Sequence, residues 1–459
     1  MTQQTVSRQH RPELRLLVAL ALVALILGLS LNARARAAAA PSPATTFVAL
    51  LAKGDFSAAE RYFSPPMQAA APTARLRQVW RTLVGQVGAF ERQAGVTEQS
   101  IGGVRNVIVH GIFARDTADL VISILLDGKI GGFHVTNIQP AVPTTYTPPG
   151  YVHPASFHEQ AVTVGSTPWT LPGTLTLPNG PGPFPAVVLV AGSGPADRDE
   201  TVGDDKPFRD LAWGLAAQGI AVLRYDKRTL VYGARITTLR NFTVQDEFVD
   251  DAVAAVHLLA RTPRIDHRHI YVLGHSEGGM MAPRIARQDP HIAGLIIMAG
   301  PTRPLVDVIV SQYTYLASRG FATLAQLAAA KQQAAAIKAL TPTDKDQCCA
   351  LFSAPPSYWL DLRHYQQATV ARGLKIPLLI MQGARDYQVT LADFTGWKAA
   401  LAHHPRVTFK LYATLFHPFI PVPPGSPAGL ATPNAYKSPG HVAPQVIHAI
   451  ALWLRDASA

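Results

Sequence analysis

The sequence predicts an α/β fold, a parallel sheet covered by helices on both faces and carrying a helical cap insertion, preceded by a small α+β domain. Three observations carry that expectation. Through the second half of the chain, short and wholly apolar strands alternate with helical stretches, the mark of a parallel sheet buried on both sides. Nearer the N-terminus, helical periodicity gives way to strands at hairpin spacing, the order of an α+β unit. Between Thr302 and Lys375 the alternation lapses into Ala-rich helical sequence, which reads as a cap over about 302–375.

Size and composition fit this division. The 459 residues are 48% apolar and 15% charged, room for two cores without disorder. The net charge of +11 is spread without a Lys/Arg block interleaved with aromatics, so a nucleic-acid partner is not expected. Part of the charge sits in a leader: Arg8, Arg11 and Arg15 precede an apolar run from Leu16 to Leu31, and Ala33-Arg34-Ala35 and Ala37 to Ala40 follow. A basic start, an apolar middle and small residues at the end make a signal peptide over residues 1–40. Its 16-residue run is shorter than the roughly 20 that span a bilayer. An uncleaved N-terminal anchor is the alternative and the only expected membrane contact. In both cases the rest of the chain is extracytoplasmic, secreted or periplasmic. The adjacent Cys348 and Cys349 form no disulfide framework and read as buried or free thiols.

In the small domain, assigned to residues 41–140, Phe47–Leu51, Phe56–Phe63 and Leu76–Phe90 have helical spacing. Val104–Phe113, Leu120–Leu126 and Ile130–Val135 read as strands, with Asp127-Gly128 a hairpin turn. A linker at 141–155 is rich in Pro and Thr. The α/β domain is then expected over 156–459. Its strands are Ala186–Val190, Ile220–Tyr225, Ile270–Leu273, Gly294–Met298, Leu378–Met381 and Val407–Tyr412. Helices are expected near Phe208–Ala217, Val244–Leu259, Gly278–Arg287 and Ala443–Leu454, and within the cap over Thr323–Leu340. Ligands of such sheets bind beyond the carboxyl ends of the strands.

The chemistry concentrates at those ends. Gly274-His275-Ser276-Glu277-Gly278 is a G-x-S-x-G pentapeptide placed between a strand and a helix. That context puts a serine on a sharp strand-to-helix turn with its hydroxyl above the sheet. A serine hydroxyl needs a base, and the base an orienting acid, following in the order Ser, acid, His. Asp386, just past the strand Leu378–Met381, is the candidate acid, and His417, 31 positions further, the candidate base. His441, before the last helix, competes with His417; His403 and His404 look solvated. Backbone N–H groups of Ser193, with Gly194 as the alternative, and of Glu277 are the candidate oxyanion donors. Gly192-x-Gly194 does not continue into a dinucleotide motif, because position 197 is Asp197. Asp197, Asp199 and Glu200 lack further ligands at metal spacing, so loop solvation or pairing with Arg198 is expected there. Neither a cofactor nor a metal is expected.

Several of these segments taken together resemble one family. Gly192-Ser193-Gly194-Pro195 with Asp197-Arg198-Asp199-Glu200, Arg224 to Arg228, Gly274 to Gly279, and Arg385 to Thr390 are similar to the bacterial exported α/β-hydrolases labelled esterases or serine aminopeptidase-like hydrolases. Members often carry a small N-terminal domain of unknown function, which residues 45–140 resemble. The family usually has His where Ala191 stands, and Leu-Asn-His-Leu-Phe where this chain has Leu415 to Phe419. The resemblance implies an α/β-hydrolase fold with Ser276 as nucleophile, Asp386 as acid and His417 as base. It points to hydrolysis of small-molecule carboxylic esters of short to medium acyl chain. A peptidase or aminopeptidase is the alternative, and a catalytically silent binding protein of the same fold a remote one. Acyl length and oligomeric state are not legible in the sequence.

Overall fold

The computed structural model describes residues 42–458 apart from 102–103, 115, 141–145, 237–238, 240 and 346–350. The expected leader and the pair Cys348 and Cys349 lie outside the described residues. Among the described residues no helix is long and apolar enough to cross a membrane. The chain divides into two compact units, Met1–Ala141 and Val142–Ala459.

The smaller unit opens with four helices, α1 Pro43–Lys53, α2 Phe56–Glu60, α3 Pro65–Ala70 and α4 Thr73–Val87. The Ser42 hydroxyl caps α1 by accepting the N–H of Thr45 at 3.2 Å, and Gly54 ends the helix with a φ of 78°. Four antiparallel strands follow in chain order: β1 Phe90–Ile101, β2 Val104–Phe113, β3 Asp116–Ile124 and β4 Ile130–Pro140. The Asp127-Gly128 hairpin forms as expected, Gly128 taking a φ of 77°. Phe47, Phe63, Leu76, Trp80 and Phe113 fill the core between helices and sheet. The sequence reading missed β1, because Phe90-Glu-Arg-Gln-Ala-Gly-Val-Thr-Glu-Gln carries no apolar alternation. Only its pairing with β2 makes it a strand.

In the larger unit the strands are β5 Phe157–Val164, β6 Leu171–Pro178, β7 Phe184–Val190, β8 Ala221–Tyr225, β9 Ile265–His275, β10 Ile292–Met298, β11 Leu378–Gly383 and β12 Val407–Tyr412. They form one sheet in the order β12-β11-β10-β9-β7-β8-β6-β5. From β12 to β8 the pairs are parallel, whereas β6 pairs antiparallel with both β8 and β5. That antiparallel edge was not expected. The middle of β5, His-Glu-Gln-Ala, is exposed, so it lacks the apolar run that marks the central strands.

Those runs serve two cores at once. Along β7, Ala186, Val188 and Val190 face one cluster while Val187 and Leu189 face the other; on β9, Ile270 and Val272 oppose Tyr271 and Leu273. Strand residues alternate sides, so an unbroken apolar strand is what a sheet covered on both faces requires. Helices α5 Pro207–Ala216 and α13 Pro444–Ser458 cover one face, with Phe208, Leu215, Ile447 and Leu454 buried. Helices α6 Asp250–Ala260, α7 Glu277–Gln288 and α12 Leu391–Ala400 cover the other. A π-helical turn, Gln245–Val249, leads into α6 where a regular helix was expected.

Among the described residues four α-helices are inserted between β10 and β11: α8 Leu305–Ser318, α9 Leu324–Ala339, α10 Pro356–Arg363 and α11 Gln367–Gly373. Their inner residues pack on α7. The Tyr365 hydroxyl donates to the Met280 carbonyl at 2.8 Å, and Arg284 pairs with Asp361 at 2.9 Å. Tyr315 of α8 stacks on Tyr387, next to Asp386, with ring centroids 5.3 Å apart.

Candidate active site

Ser276 stands between the last residue of β9 and the first of α7, with φ 53° and ψ −120°. A non-glycine residue in that region costs roughly 1–3 kcal/mol, which the flanking strand and helix must hold in place. Their glycines permit it. A Cβ on Gly274 would come within 2.2 Å of the Gly278 carbonyl oxygen, and one on Gly278 within 2.2 Å of the Val190 oxygen. The Ser276 N–H donates to Met298 O at 2.9 Å, fastening the turn to the end of β10. The hydroxyl is thereby presented at the carboxyl edge of the sheet, at the start of a helix.

Asp386 and His417 are brought together. His417 Nδ1 lies 2.7 Å from Asp386 Oδ2, with the aspartate 1% and the histidine 6% exposed. The carboxylate is held by the N–H groups of Gln388 (2.7 Å) and Val389 (3.0 Å) on Oδ1, and by the Gln382 amide on Oδ2 at 3.2 Å. Gly383 lets the two loops meet, since a Cβ there would sit 2.4 Å from the Leu415 oxygen. The His417 ring packs 4.6 Å, centroid to centroid, from that of His275, the residue before Ser276. His275 Nε2 also donates to the His417 carbonyl at 3.0 Å.

The loop after β7 approaches from the other side. A Cβ on Gly192 would lie 2.9 Å from that of Ser276, so only glycine fits this passage. Both polar atoms of Gly192 are held by charged side chains. Its N–H donates to Glu200 Oε1 at 2.7 Å, and its carbonyl accepts from Lys227 Nζ at 2.7 Å. The Ser193 hydroxyl donates to Glu277 Oε2 at 2.5 Å, and Tyr358 of the inserted helices donates to Glu277 Oε1 at 2.7 Å. Lys227 pairs in turn with Glu247, on the π turn, at 2.9 Å. Glu200, Lys227, Glu247 and Glu277 are each less than 8% exposed. Burial, and next the Glu247 carboxylate, push Glu277 above the usual carboxylate range. For His275 burial is the largest influence and works downward, but the Glu200 carboxylate, 2.9 Å from Nδ1, the His417 carbonyl and the Asp386 carboxylate together outweigh it, and the ring ends above its ordinary value.

This network corrects the sequence reading of Asp197 to Glu200 in part. Asp199 and Glu200 are buried, not solvated: Asp199 pairs with Arg224 and with Arg209 at 2.6 Å, while Glu200 serves Gly192 and His275. Arg198 pairs with none of these three acids but with Asp226, at 2.7 Å. Motif resemblance had picked out the segments around Glu200 and Lys227 without saying what they hold. Glu247 and Tyr358 carried no such signal. His441, the competitor of His417, lies 3.1 Å from Asp210, which also accepts from Tyr146 and from the Val442 N–H at 2.8 Å. His403 is exposed as expected, but His404 is buried against the Leu374 carbonyl, with Nε2 3.0 Å away, because the turn after α12 folds inward.

Residues 206–420 match the family described as serine aminopeptidase, S33, and residues 44–133 match a domain family described only as of unknown function. Esterase EstD of Thermotoga maritima is 37% identical over 413 residues, 90% of this chain and 94% of that protein. A match of that length takes in both units. Among solved structures, Est1E from Butyrivibrio proteoclasticus aligns with a TM-score of 0.42 at 13% identity, covering 65% of this chain and 98% of that one. The esterase domain of a Rhodothermus marinus protein aligns with a TM-score of 0.41 at 16% identity, covering 65% and 98%. With 37% identity along nearly its whole length to Esterase EstD, and the matching family segment taking in Ser276, Asp386 and His417, this chain belongs to the serine aminopeptidase S33 family of α/β-hydrolases.

Proposed function

We propose that this chain is a serine esterase that hydrolyses carboxylic esters of short to medium acyl chain through an acyl-enzyme on Ser276. The observation that carries the reading is the 2.7 Å contact of His417 Nδ1 with Asp386 Oδ2. It keeps a proton on Nδ1, so Nε2 keeps a lone pair and can act as base. In the proposed reaction Ser276 Oγ attacks the ester carbonyl while His417 takes its proton. The tetrahedral oxyanion accepts from the N–H groups of Ser193 and Glu277. His417 then protonates the departing alcohol, and a water deprotonated by the same imidazole attacks the acyl-enzyme, releasing the acid and restoring the serine.

Ser276→Ala is the test. The variant is expected to keep its circular dichroism and melting point, to lose hydrolysis of p-nitrophenyl acetate through hexanoate, and to escape labelling by a fluorophosphonate. Turnover near the wild-type rate would falsify the nucleophile assignment. Aminopeptidase action is the second reading, supported by the description of the family. It requires a carboxylate open to the substrate ammonium, and both Glu277 oxygens are already taken by Ser193 and Tyr358. Higher kcat/KM on aminoacyl anilides than on aryl esters reverses the preference. We also read residues 1–40 as an export leader, and N-terminal sequencing of the exported protein tests it.

A further inference from the structure

At the far end of the nucleophile helix from Ser276 lies a cluster that the ester chemistry does not use. Asp289 closes α7, His291 follows it before β10, and His257 stands on the last turn of α6. One donor atom from each of these residues falls within 4.8 Å of the others. Twelve helical residues separate the cluster from Ser276, about 18 Å.

The aspartate is the unusual member. Its side chain is only 2% exposed, whereas His257 and His291 are 47% and 64% exposed. The His291 N–H donates to Oδ1 at 2.9 Å, and His291 Nδ1 lies 2.7 Å from the same oxygen. Oδ2 is buried with no hydrogen-bond donor aligned on it, although His257 Nε2 is 3.0 Å away. A buried carboxylate oxygen without a partner is costly. One imidazole nitrogen beside each carboxylate oxygen, His257 Nε2 at Oδ2 and His291 Nδ1 at Oδ1, both on rings open to water, completes a set of one carboxylate and two histidines. Bonds of about 2.0–2.2 Å to a tetrahedral ion hold donors roughly 3.3 Å apart, which small rotations of the two exposed rings reach.

We propose that His257, Asp289 and His291 form a divalent-metal site, zinc by its mixed nitrogen and oxygen donors, with water at the fourth position. The ion would satisfy Asp289 Oδ2 and tie the end of α6 to the turn between α7 and β10. Its role is to brace the face of the sheet that carries the nucleophile helix, not to take part in ester cleavage.

The test uses the purified chain, stripped with EDTA and titrated calorimetrically with Zn2+ alone. Wild type is expected to take up one ion per chain and to melt at a higher temperature when loaded. His257→Gln and His291→Gln, both at exposed positions, each weaken that uptake by at least about tenfold and abolish the rise in melting temperature. His403→Gln, an exposed histidine elsewhere, leaves both unchanged. Co2+ in place of Zn2+ should give the visible bands of a four-coordinate ion in wild type and His403→Gln but not in the His257 and His291 variants. Absence of uptake by wild type, or uptake unaltered in the His257 and His291 variants, overturns the proposal.

Discussion

Glu200→Gln is the substitution that separates a positioning role from a merely structural one. Glu200 accepts the Gly192 N–H at 2.7 Å and faces His275 Nδ1 at 2.9 Å, while His275 Nε2 donates to the His417 carbonyl at 3.0 Å. Glutamine retains an acceptor for Gly192 but removes the negative charge that favours the protonated form of His275. Besides Glu200, the His275 ring faces His417, and the Asp386 carboxylate lies close enough to favour its charged form. The folded-state value of His275 is raised above 6.5, so the stability it contributes is complete below pH 6.5 and is lost as pH rises through that raised value. In the variant burial acts with less opposition and makes acid the unfavourable side. The stability gap between wild type and variant is therefore widest near pH 6 and narrows toward pH 9, by up to about 1.4 kcal/mol per pH unit within the window. At its widest it is expected at roughly 1–3 kcal/mol, as for a buried charge-assisted contact weakened but not emptied. Displacement of the His417 backbone lowers kcat on aryl esters by about 10–100-fold with KM little changed. Urea unfolding across the pH range and steady-state kinetics at pH 8 measure both. A gap that stays constant from pH 6 to 9, or an unaltered kcat, refutes the argument.

Three further substitutions probe the same site. Asp386→Asn keeps the shape of the side chain but favours the wrong His417 tautomer; kcat should fall about 10³–10⁴-fold, measured on p-nitrophenyl butyrate, with the melting point lowered only slightly. Lys227→Met leaves Glu247 buried without its cation and Gly192 O without a donor, so chemical denaturation should show a loss of about 3–5 kcal/mol. Tyr358→Phe removes one donor from the buried Glu277 and is expected to destabilise by about 1–3 kcal/mol, with acyl-chain preference altered in an ester panel because α10 loosens from α7.

What could be read in the sequence was what local pattern encodes. The central strands are legible because both of their faces are buried: Leu378–Met381 was expected and found as Leu378–Gly383, and Ile292–Met298 differs by two residues at one end. The pentapeptide around Ser276 is legible because its glycines answer a steric demand within a few residues. β1 and β5 were missed for the opposite reason. Their polar sequences become strands only through a neighbour's backbone, which no local period reports. His404 was read as solvated because a histidine beside a helix end usually is, and the inward turn that buries it is a tertiary event. Glu200, Lys227, Glu247 and Tyr358 lie far apart along the chain. Each is an ordinary polar residue until folding removes its water.

The same network explains why a glycine can carry part of the candidate oxyanion loop. Gly192 is required by its approach to Ser276, yet glycine is the residue least able to hold one backbone conformation. Here its N–H and C=O are gripped by buried carboxylate and ammonium groups, which restores the rigidity that preorganised donors need. The adjoining Ser193 is tied to Glu277, whose own N–H opens α7. A full negative charge on Glu277 would oppose an oxyanion forming beside these donors. Burial and next the Glu247 carboxylate move its titration upward, while Tyr358 and Ser193 keep the carboxyl in place. The inserted helices thus reach the Ser193 loop through the Tyr358 phenol, and the candidate oxyanion loop is as firmly held as the turn that carries Ser276.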